Sequence, residues 1–382
     1  MTYAGHLKVL DADSHVMELA DFLDDFIDPE YSGRLKRQQM EAMARVIEEA
    51  VTKAEARRSQ AEERALAEQR LMEDKGWKAL GAFDPKERSD VLGLLGFEGQ
   101  MIFGTFAASM FTGKDVDLLY AGSSAKNRAM ARFCSVDKRL HAVAFVPLVD
   151  PPRAVELATE AIEAGCSAVM VPSTAAGERS PTHPELDGFW GVLSEANAPF
   201  VLHVGGGGRL LDPAFHNNGM PVTDHLGGEN NVRSKDFLAI NHSPALFLGV
   251  LIYDGLFDRF PKLRGGCMEQ GAGWLVSWMR LLDMGANDFR RTEEPLRKLS
   301  LAPSDYVRRN LKFTPFAGEP VAWMIEQCGS ELFMFSTDFP HPEGGNDPLG
   351  RFEEGLTGAS EEARRRFFHD NMYELLHGTQ PG

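Results

Sequence analysis

Short apolar segments alternate with helical segments along most of this chain, and this alternation limits the fold more than any other feature. Predicted strands begin at Val9 and then lie at 100–105, 141–148, 167–172, 199–205, 263–269, 310–313 and 332–336. Helices are predicted at 125–136, 153–164, 186–196, 319–328 and 361–376. Near-continuous apolar strands are typical of parallel sheets that are buried on both faces. Eight strand–helix units in order therefore predict an α/β fold, the (β/α)8 TIM barrel.

One long segment after the first strand does not follow this alternation. Between Leu35 and Lys75 the chain contains no Gly and no Pro and is rich in Ala, Glu, Arg, Gln and Lys, which favour helix. Met40, Met43 and Ile47 begin an apolar stripe at helical spacing. We therefore predict a single barrel domain over residues 1–382 with a helical insertion at 35–75, which is an arm or a lid.

The charge and the cysteines exclude several classes of protein. A formal net charge of −16 argues against nucleic acid or an anionic membrane as the main partner. A small anionic substrate is still compatible, because a bound metal ion or a local arginine sets the field inside a pocket. The four cysteines form no CxxC pair, so we expect reduced, buried thiols. The sequence shows no signal-peptide pattern and no apolar run near the roughly 20 residues that span a bilayer, so we expect a cytoplasmic protein.

The start of the chain carries a cluster of polar groups after an apolar run. Asp13 and His15 are two residues apart, so in an extended strand their side chains point to the same face. A carboxylate and an imidazole on one face can hold a divalent metal ion. The alternative is a turn in which the Asp caps a helix and the His lies on the surface.

The predicted barrel helps to decide between these alternatives, because active sites of such barrels lie at the C-terminal ends of the strands. Asp13 and His15 end the first predicted strand, His203 the fifth, Glu269 the sixth and Asp338 the eighth. Metal-type ligands thus recur at several strand ends of one barrel mouth. This joint placement favours a metal site formed by Asp13, His15, His203 and Asp338.

Longer motifs resemble the amidohydrolase-related proteins, whose best-known members are aromatic-acid and muconate-semialdehyde decarboxylases. The resemblance covers most of the chain outside 35–75, and the motifs that carry it are DADSHV at 11–16, LFDRFPKL at 256–263, EQGAGW at 269–274, STDFPH at 336–341 and NMYELL at 371–376. In this family the first strand usually carries His-x-His or Glu-x-His. The resemblance implies that Asp13 and His15 take that role here, with a shorter carboxylate at position 13.

The resemblance also implies roles at three other strands. His203 matches the metal-binding His of the fifth strand, and Asp338 matches an Asp of the eighth that binds metal and moves a proton. Many members have a catalytic His at the sixth strand, where this chain has Glu269. Two carboxylates and two imidazoles suit one Zn²⁺, Mn²⁺ or Fe²⁺ ion, and Glu269 as a third carboxylate favours Mn²⁺, Fe²⁺ or a second cation.

We assign catalytic roles to Asp338, Glu269 and His341, with His341 positioning Asp338. Substrate-binding candidates are His242, Arg209, Arg233 and Trp274. The substrate is expected to be a small cyclic or aromatic carboxylate or carbonyl compound. Because the usual His is absent from the sixth strand, we favour hydrolysis or bond cleavage by metal-activated water. The alternatives are non-oxidative decarboxylation and a non-catalytic, ligand-binding barrel, and the resemblance further implies a homodimer.

Overall fold

Seven parallel strands form a curled sheet in the computed structural model, which describes residues 2–206, 210–220 and 234–378. Each strand pairs with the next one along the chain. The strands are β1 Leu10–Val16, β2 Gly99–Gly104, β3 Leu140–Phe145, β4 Ala168–Met170, β5 Phe200–His203, β6 Gly265–Met268 and β7 Leu311–Phe313. Their carboxyl ends therefore lie at one edge of the sheet.

An eighth extended segment joins the two edges of this sheet. Phe313 N donates to Leu332 O at 2.8 Å on the β7 side, and Ala12 N donates to Phe335 O at 3.0 Å on the β1 side. Parallel bridges also pair Phe313 with Phe333 and Ser14 with Phe339. The arrangement is consistent with the predicted barrel, but the segment predicted as a regular strand at 332–336 pairs only through isolated bridges.

Helices connect the strands and cover the outside of the sheet. The helices up to β5 are α1 Pro29–Ser32, α2 Gln38–Ala42, α3 Ala44–Ser59, α4 Ala61–Gln69, α5 Pro85–Leu95, α6 Val116–Cys134, α7 Pro151–Glu163 and α8 Asp187–Glu195. Those after β5 are α9 Ser234–Ala239, α10 His242–Tyr253, α11 Leu256–Arg259, α12 Leu275–Phe289, α13 Glu294–Lys298, α14 Pro303–Asn310, α15 Val321–Cys328, α16 Pro348–Gly355, α17 Glu361–Arg365 and α18 Asn371–His377. Short 3-10 turns lie at Gly76–Lys78, Ala107–Met110, Pro184–Leu186, Pro213–His216 and Pro342–Gly344, and a π-helical turn, Arg366–Asp370, joins the last two helices.

Local sequence signals explain where several of these helices begin. Asp150 precedes Pro151, and its side chain accepts a hydrogen bond from Arg153 N, as expected for a capping Asp followed by Pro at the first helical position. Asp84 caps α5 in the same way through Glu87 N. Helix α14, directly before β7, was not predicted, because its apolar residues are few.

The segment at 35–75, predicted as a long helix or a helical hairpin, contains three helices, α2 to α4. Ile47, Ala50 and Ala54 form the buried face of α3, whereas α4 has no fully buried residue. The buried side chain of Arg57 contacts Glu87 of α5 through Nη2 at 3.0 Å from Oε2. The segment is thus attached to the barrel through a buried ion pair. Its status as an insertion stays a prediction.

A separate apolar core lies inside the curled sheet. This core consists of Leu10, Ala12, Met101, Phe103, Val143, Ala168, Val201, Met268 and Met334, together with Met372, Leu375 and Leu376 of α18. The larger core lies between the sheet and the helices. All four cysteines (Cys134, Cys166, Cys267 and Cys328) are buried and free, as predicted.

One helical stretch, Ser234–Tyr253, has the length and composition that could cross a membrane. It is divided between α9 and α10, and half of it is buried inside the fold.

Candidate metal centre

The end of β1 places two candidate ligands at the mouth of the barrel. Asp13 and His15 are both buried, and Asp13 Oδ1 lies 3.3 Å from His15 Nε2. The register between β1 and β2 shifts between Asp11 and Ser14, so the strand is irregular where it carries these ligands. Such irregularities can redirect side chains at a site.

His203 is the last residue of β5 and meets Asp13 from across the mouth. Its Nε2 lies 3.3 Å from Asp13 Oδ1 and 3.5 Å from Glu269 Oε2. Its Nδ1 lies 3.0 Å from Val204 O, a carbonyl that can only accept. The proton of a neutral His203 therefore resides on Nδ1, which leaves the Nε2 lone pair free to bind a metal ion.

Asp338 closes the group from the eighth segment. Its Oδ1 lies 3.3 Å from His15 Nε2 and 2.9 Å from His341 Nδ1. Asp338 N donates to Asp13 O at 2.8 Å, so the backbones that carry these two carboxylates are directly bonded. The rings of His15 and His341 lie with their centroids 3.9 Å apart.

Thr105 is a contact residue that the sequence did not reveal. Its hydroxyl lies 3.0 Å from His341 Nε2 and 3.5 Å from His15 Nδ1, and it donates to Val16 O at 2.9 Å. A hydroxyl that already donates to a carbonyl can only accept from His341, so it fixes the orientation of that imidazole. Nothing in its local sequence marks Thr105, which simply follows β2.

Burial and mutual charge shift the pKa values of these groups in opposite directions. Burial alone would raise the pKa of Asp13, but the neighbouring His203 and His15 lower it below its ordinary value. Burial opposes protonation of His203, yet Asp13 outweighs it and raises the pKa of His203 to about 10. Without a metal, Asp13 and His203 thus form an ion pair.

The other members of the group favour their neutral forms. Burial, and then the charge of Asp338, raise the pKa of Glu269 well above its ordinary value. Burial, and then Asp13, do the same for the pKa of Asp338. Burial lowers the pKa of both His15 and His341. Titratable groups held away from their usual charge states are typical of functional sites.

The donor set fits a divalent metal ion. His15 Nε2 and both carboxylate oxygens of Asp338 are buried and make no hydrogen bond. Ligand atoms of Asp13, His15, His203 and Glu269 lie within 4.8 Å of one another, and so do those of His15, Asp338 and His341. Buried polar atoms without partners are costly, and a cation among them would remove that cost. Because the two groups share His15, they can hold one ion, and their oxygen and imidazole donors suit Mn²⁺, Fe²⁺ or Zn²⁺.

The structure describes two of the four predicted substrate-binding residues, Trp274 and His242. Trp274 is half-buried, packs against Trp278 and Phe313, and donates from Nε1 to Gly271 O at 2.9 Å. His242 is exposed at the start of α10. Arg209 and Arg233 lie outside the described residues. Their roles stay predictions.

Comparison with known proteins identifies the family. The Amidohydro_2 family model, described as Amidohydrolase, matches residues 103–377, which is well over half of the chain. The chain belongs to the amidohydrolase family. It is therefore an enzyme of the amidohydrolase superfamily, as the motifs indicated. The matched region begins after Asp13 and His15, where the sequence departs from the usual ligand pattern.

Solved structures with the same fold include both an amidohydrolase and decarboxylases. An amidohydrolase from Mycobacterium avium subsp. paratuberculosis K-10 has a TM-score of 0.75 at 20% identity, over 97% of this chain and 99% of that one. The 5-carboxyvanillate decarboxylase from Novosphingobium aromaticivorans DSM 12444, with bound manganese and 3-methoxy-4-hydroxy-5-nitrobenzoic acid, has a TM-score of 0.65 at 16% identity, over 98% and 99%. The 2,6-dihydroxybenzoate decarboxylase from Rhizobium has a TM-score of 0.62 at 17% identity, over 97% and 98%. At these identities the similarity establishes the shared fold.

Proposed function

We propose that this amidohydrolase-family enzyme is a manganese-dependent, non-oxidative decarboxylase of an aromatic or muconate-type carboxylic acid. The observation that carries the proposal is the contact between His15 Nε2 and Asp338 Oδ1, two buried atoms that make no hydrogen bond and lie 3.3 Å apart at the barrel mouth. The manganese and the carboxylated ligand of the structurally similar 5-carboxyvanillate decarboxylase also support it. The preference thus moves from hydrolysis, favoured by the sequence, to decarboxylation.

Asp13, His15, His203 and Asp338 would hold the ion, with Glu269 as a further carboxylate. When bound, the ion would supply positive charge to bind and orient the carboxylate and a neighbouring oxygen of the substrate. Side chains of the protein itself would carry out the proton transfers.

Decarboxylation requires a proton donor at the carbon that loses CO2. The C–C bond breaks, its electron pair stays on the substrate carbon, and that carbon takes one proton. We place this proton on Asp338, whose carboxyl lies with His15 and His341 at the barrel mouth. His341, with Nδ1 2.9 Å from Asp338 Oδ1, can return a proton from solvent to Asp338. The sum is one carboxylate and one proton converted into CO2 and the protonated product.

Hydrolysis is the second candidate, and Glu269 favours it. This residue occupies the strand-six position where the resemblance implies a catalytic His, and its carboxylate, when ionised, can accept a proton from water. A water would attack a carbonyl carbon and lose one proton to Glu269, the bond from that carbon to the leaving group would break, and the leaving group would take up the proton. Decarboxylation adds one proton to the carbon that loses CO2, whereas hydrolysis adds the oxygen atom of a water molecule to the product.

Turnover of a panel of aromatic and muconate-type acids in D2O, followed by mass spectrometry, tests the proposal. A decarboxylase releases CO2 and places one deuterium on carbon, whereas a hydrolase incorporates ¹⁸O from labelled water. Asp338→Asn should abolish turnover, and Glu178→Gln, which alters an exposed carboxylate, should not. A product that carries ¹⁸O without loss of CO2 would favour the second candidate. Protein that retains no first-row metal and binds no Mn²⁺ would contradict both.

We also propose that the 35–75 segment is a fixed arm rather than a lid, and that the enzyme is a homodimer. The arm is supported by the buried Arg57–Glu87 pair and by Lys36, which donates to Thr112 O at 2.7 Å.

The dimer is supported by the family resemblance and by the exposed apolar side chains of Leu281 and Met284 on α12. Light scattering at micromolar concentration should give twice the mass of one chain, and a monomer would contradict the proposal.

A further inference from the structure

Asp11 is a buried carboxylate that neither metal binding nor the proposed reaction uses. It lies on β1, two residues before Asp13, and is fully buried. Its Oδ1 accepts hydrogen bonds from Thr337 N at 2.9 Å and from Asp13 N at 3.3 Å. Its Oδ2 accepts from Thr337 Oγ1 at 2.6 Å and from Gln100 Nε2 at 2.9 Å. Every partner is a donor, so the carboxylate is fully engaged by the strands around it.

Two partners of Asp11 are backbone N–H groups that lie at a candidate ligand or next to one. Asp13 is itself a candidate ligand, and Thr337 directly precedes Asp338. The Asp11 carboxylate therefore connects the end of β1 to the eighth segment. A backbone hydrogen bond from Asp338 N to Asp13 O at 2.8 Å also connects β1 to the eighth segment, at the two ligands themselves. Asp11 thus bonds the backbone at one of these two ligands and next to the other.

Arg88 of α5 contacts the backbone of His15, another candidate ligand. Its side chain is fully buried, and Nη2 donates to His15 O while Nε donates to Gly81 O at 2.8 Å. Its Nη1 lies 3.5 Å from Gln100 Oε1. Gln100 therefore bonds Asp11 with its amide nitrogen and Arg88 with its amide oxygen. Gln100 thus links two buried ionisable side chains, Asp11 and Arg88, to each other.

Buried charges contribute little net stability, because their desolvation offsets their attraction. A buried network is better explained by the geometry that it fixes, since groups that orient metal ligands influence metal affinity strongly. This reasoning rests on the proposed function in one respect, namely that the site binds a divalent metal ion. We propose that Asp11 and Arg88, linked by Gln100, are positioning residues that fix the spacing of the metal ligands Asp13, His15 and Asp338.

The test measures Mn²⁺ affinity of the full-length protein by calorimetry, together with the electron paramagnetic resonance spectrum of the bound ion. Thr337→Val removes the hydroxyl that donates to Asp11 with little change in volume. We expect Mn²⁺ binding to weaken by about 10- to 100-fold and the spectrum to broaden. Thr337→Ser restores the hydroxyl and should return affinity to within a few-fold of the wild type. Gln100→Met, which breaks the link without touching a ligand, should also weaken binding.

Ser123→Ala serves as the matched control, because it removes a hydrogen bond from a fully buried hydroxyl (to Leu119 O, 2.7 Å) on α6. It should leave Mn²⁺ affinity unchanged even if the protein unfolds more easily. If Thr337→Val and Gln100→Met bind Mn²⁺ as tightly as the wild type, the positioning role is overturned while the metal site stands. If the wild type itself binds no Mn²⁺, the proposed function fails instead. Should Thr337→Val not fold, Gln100→Met alone decides.

Discussion

Glu269 and Asp338 both hold their carboxylates in the cluster from left-handed backbone, with φ of 54° and 52°. Among the described residues other than glycine, only Asn197 shares this conformation. Side chains with a Cβ disfavour this region, and such conformations concentrate at functional sites. Two of the three carboxylates at the barrel mouth are thus placed at a conformational cost.

The backbone strain at Glu269 can be measured by comparing two truncations. Glu269→Gly and Glu269→Ala both remove the carboxylate, but only glycine adopts positive φ freely. We expect the unfolding free energy of Glu269→Gly to exceed that of Glu269→Ala by about 0.5 to 1 kcal/mol, after the greater unfolded-state entropy of glycine is counted. Urea unfolding of metal-free protein checks this. Asn197→Gly against Asn197→Ala, away from the cluster, should show the same sign, and equal stability of the two Glu269 variants would argue against strain.

Removal of the Asp338 charge should have opposite effects with and without metal. Because the pKa of Asp338 is raised in the folded protein, its contribution to stability is present below the unfolded pKa of about 4 and is lost as pH rises through the folded pKa. Metal-free Asp338→Asn should therefore be more stable than metal-free wild type at pH 8, and the difference should shrink toward pH 5.

Added Mn²⁺ should reverse that order. Wild type gains about 2.7 kcal/mol when free metal is 100 times the dissociation constant, whereas Asp338→Asn has lost a ligand and gains less. Thermal unfolding at pH 8 with and without Mn²⁺ checks both statements. The assignment of Asp338 as a ligand is wrong if the variant and the wild type gain equal stability.

The buried pair Arg57–Glu87 should dominate the attachment of the 35–75 segment. Arg57→Met leaves Glu87 buried without its cation, and we expect a loss of about 3 to 5 kcal/mol of unfolding free energy. The double variant Arg57→Met with Glu87→Met should recover part of it. The nearby surface pair of Arg58 and Asp84 is the control, because Arg58→Met should cost about 1 kcal/mol or less. Denaturant titration measures all three, and similar losses for Arg57 and Arg58 would contradict the expectation.

His141 should make stability depend on pH far from the metal centre. Burial, and then the charge of His377, lower the pKa of His141 to about 4. A histidine with a lowered pKa stabilises the fold above its unfolded pKa of about 6.5, and that stability is lost as pH falls toward 4. Wild type should lose up to about 3 kcal/mol relative to His141→Gln over this interval. Unfolding at several pH values tests this, with His6→Gln as the control for removal of an exposed imidazole.

The sequence predicted most of the strands and the positions of Asp13, His15, His203 and Asp338, because apolar runs and strand ends are local features. The regular eighth strand was not found, and Phe335 shows one reason, because its N–H donates to Phe367 O of the π-helical turn at 2.9 Å rather than to a neighbouring strand. Directly after the predicted strand, Thr337 N donates to the Asp11 carboxylate, and the chain turns at Asp338 with positive φ. Hydrogen bonds to other partners thus replace part of the strand ladder, and an apolar sequence pattern does not reveal them.

The residues that the sequence missed have their partners far away in the chain. Arg88 meets His15 across 73 positions, and Thr105 meets His341 across 236. Arg88 looks like an ordinary polar residue of a helix, and Thr105 like a residue that ends a strand. Their importance arises only from the closure of the sheet, which brings α5, β2 and the eighth segment around one pair of imidazoles.

The four buried cysteines make the natural chain a ready background for site-directed labelling. Burial raises the pKa of Cys166 to about 12 and raises those of Cys134, Cys267 and Cys328 as well, so that thiolate is scarce and shielded from reagents. A single cysteine introduced at exposed Glu62 on α4 would then react alone with a maleimide dye. Fluorescence from that position could follow the 35–75 segment during turnover without removal of any native thiol.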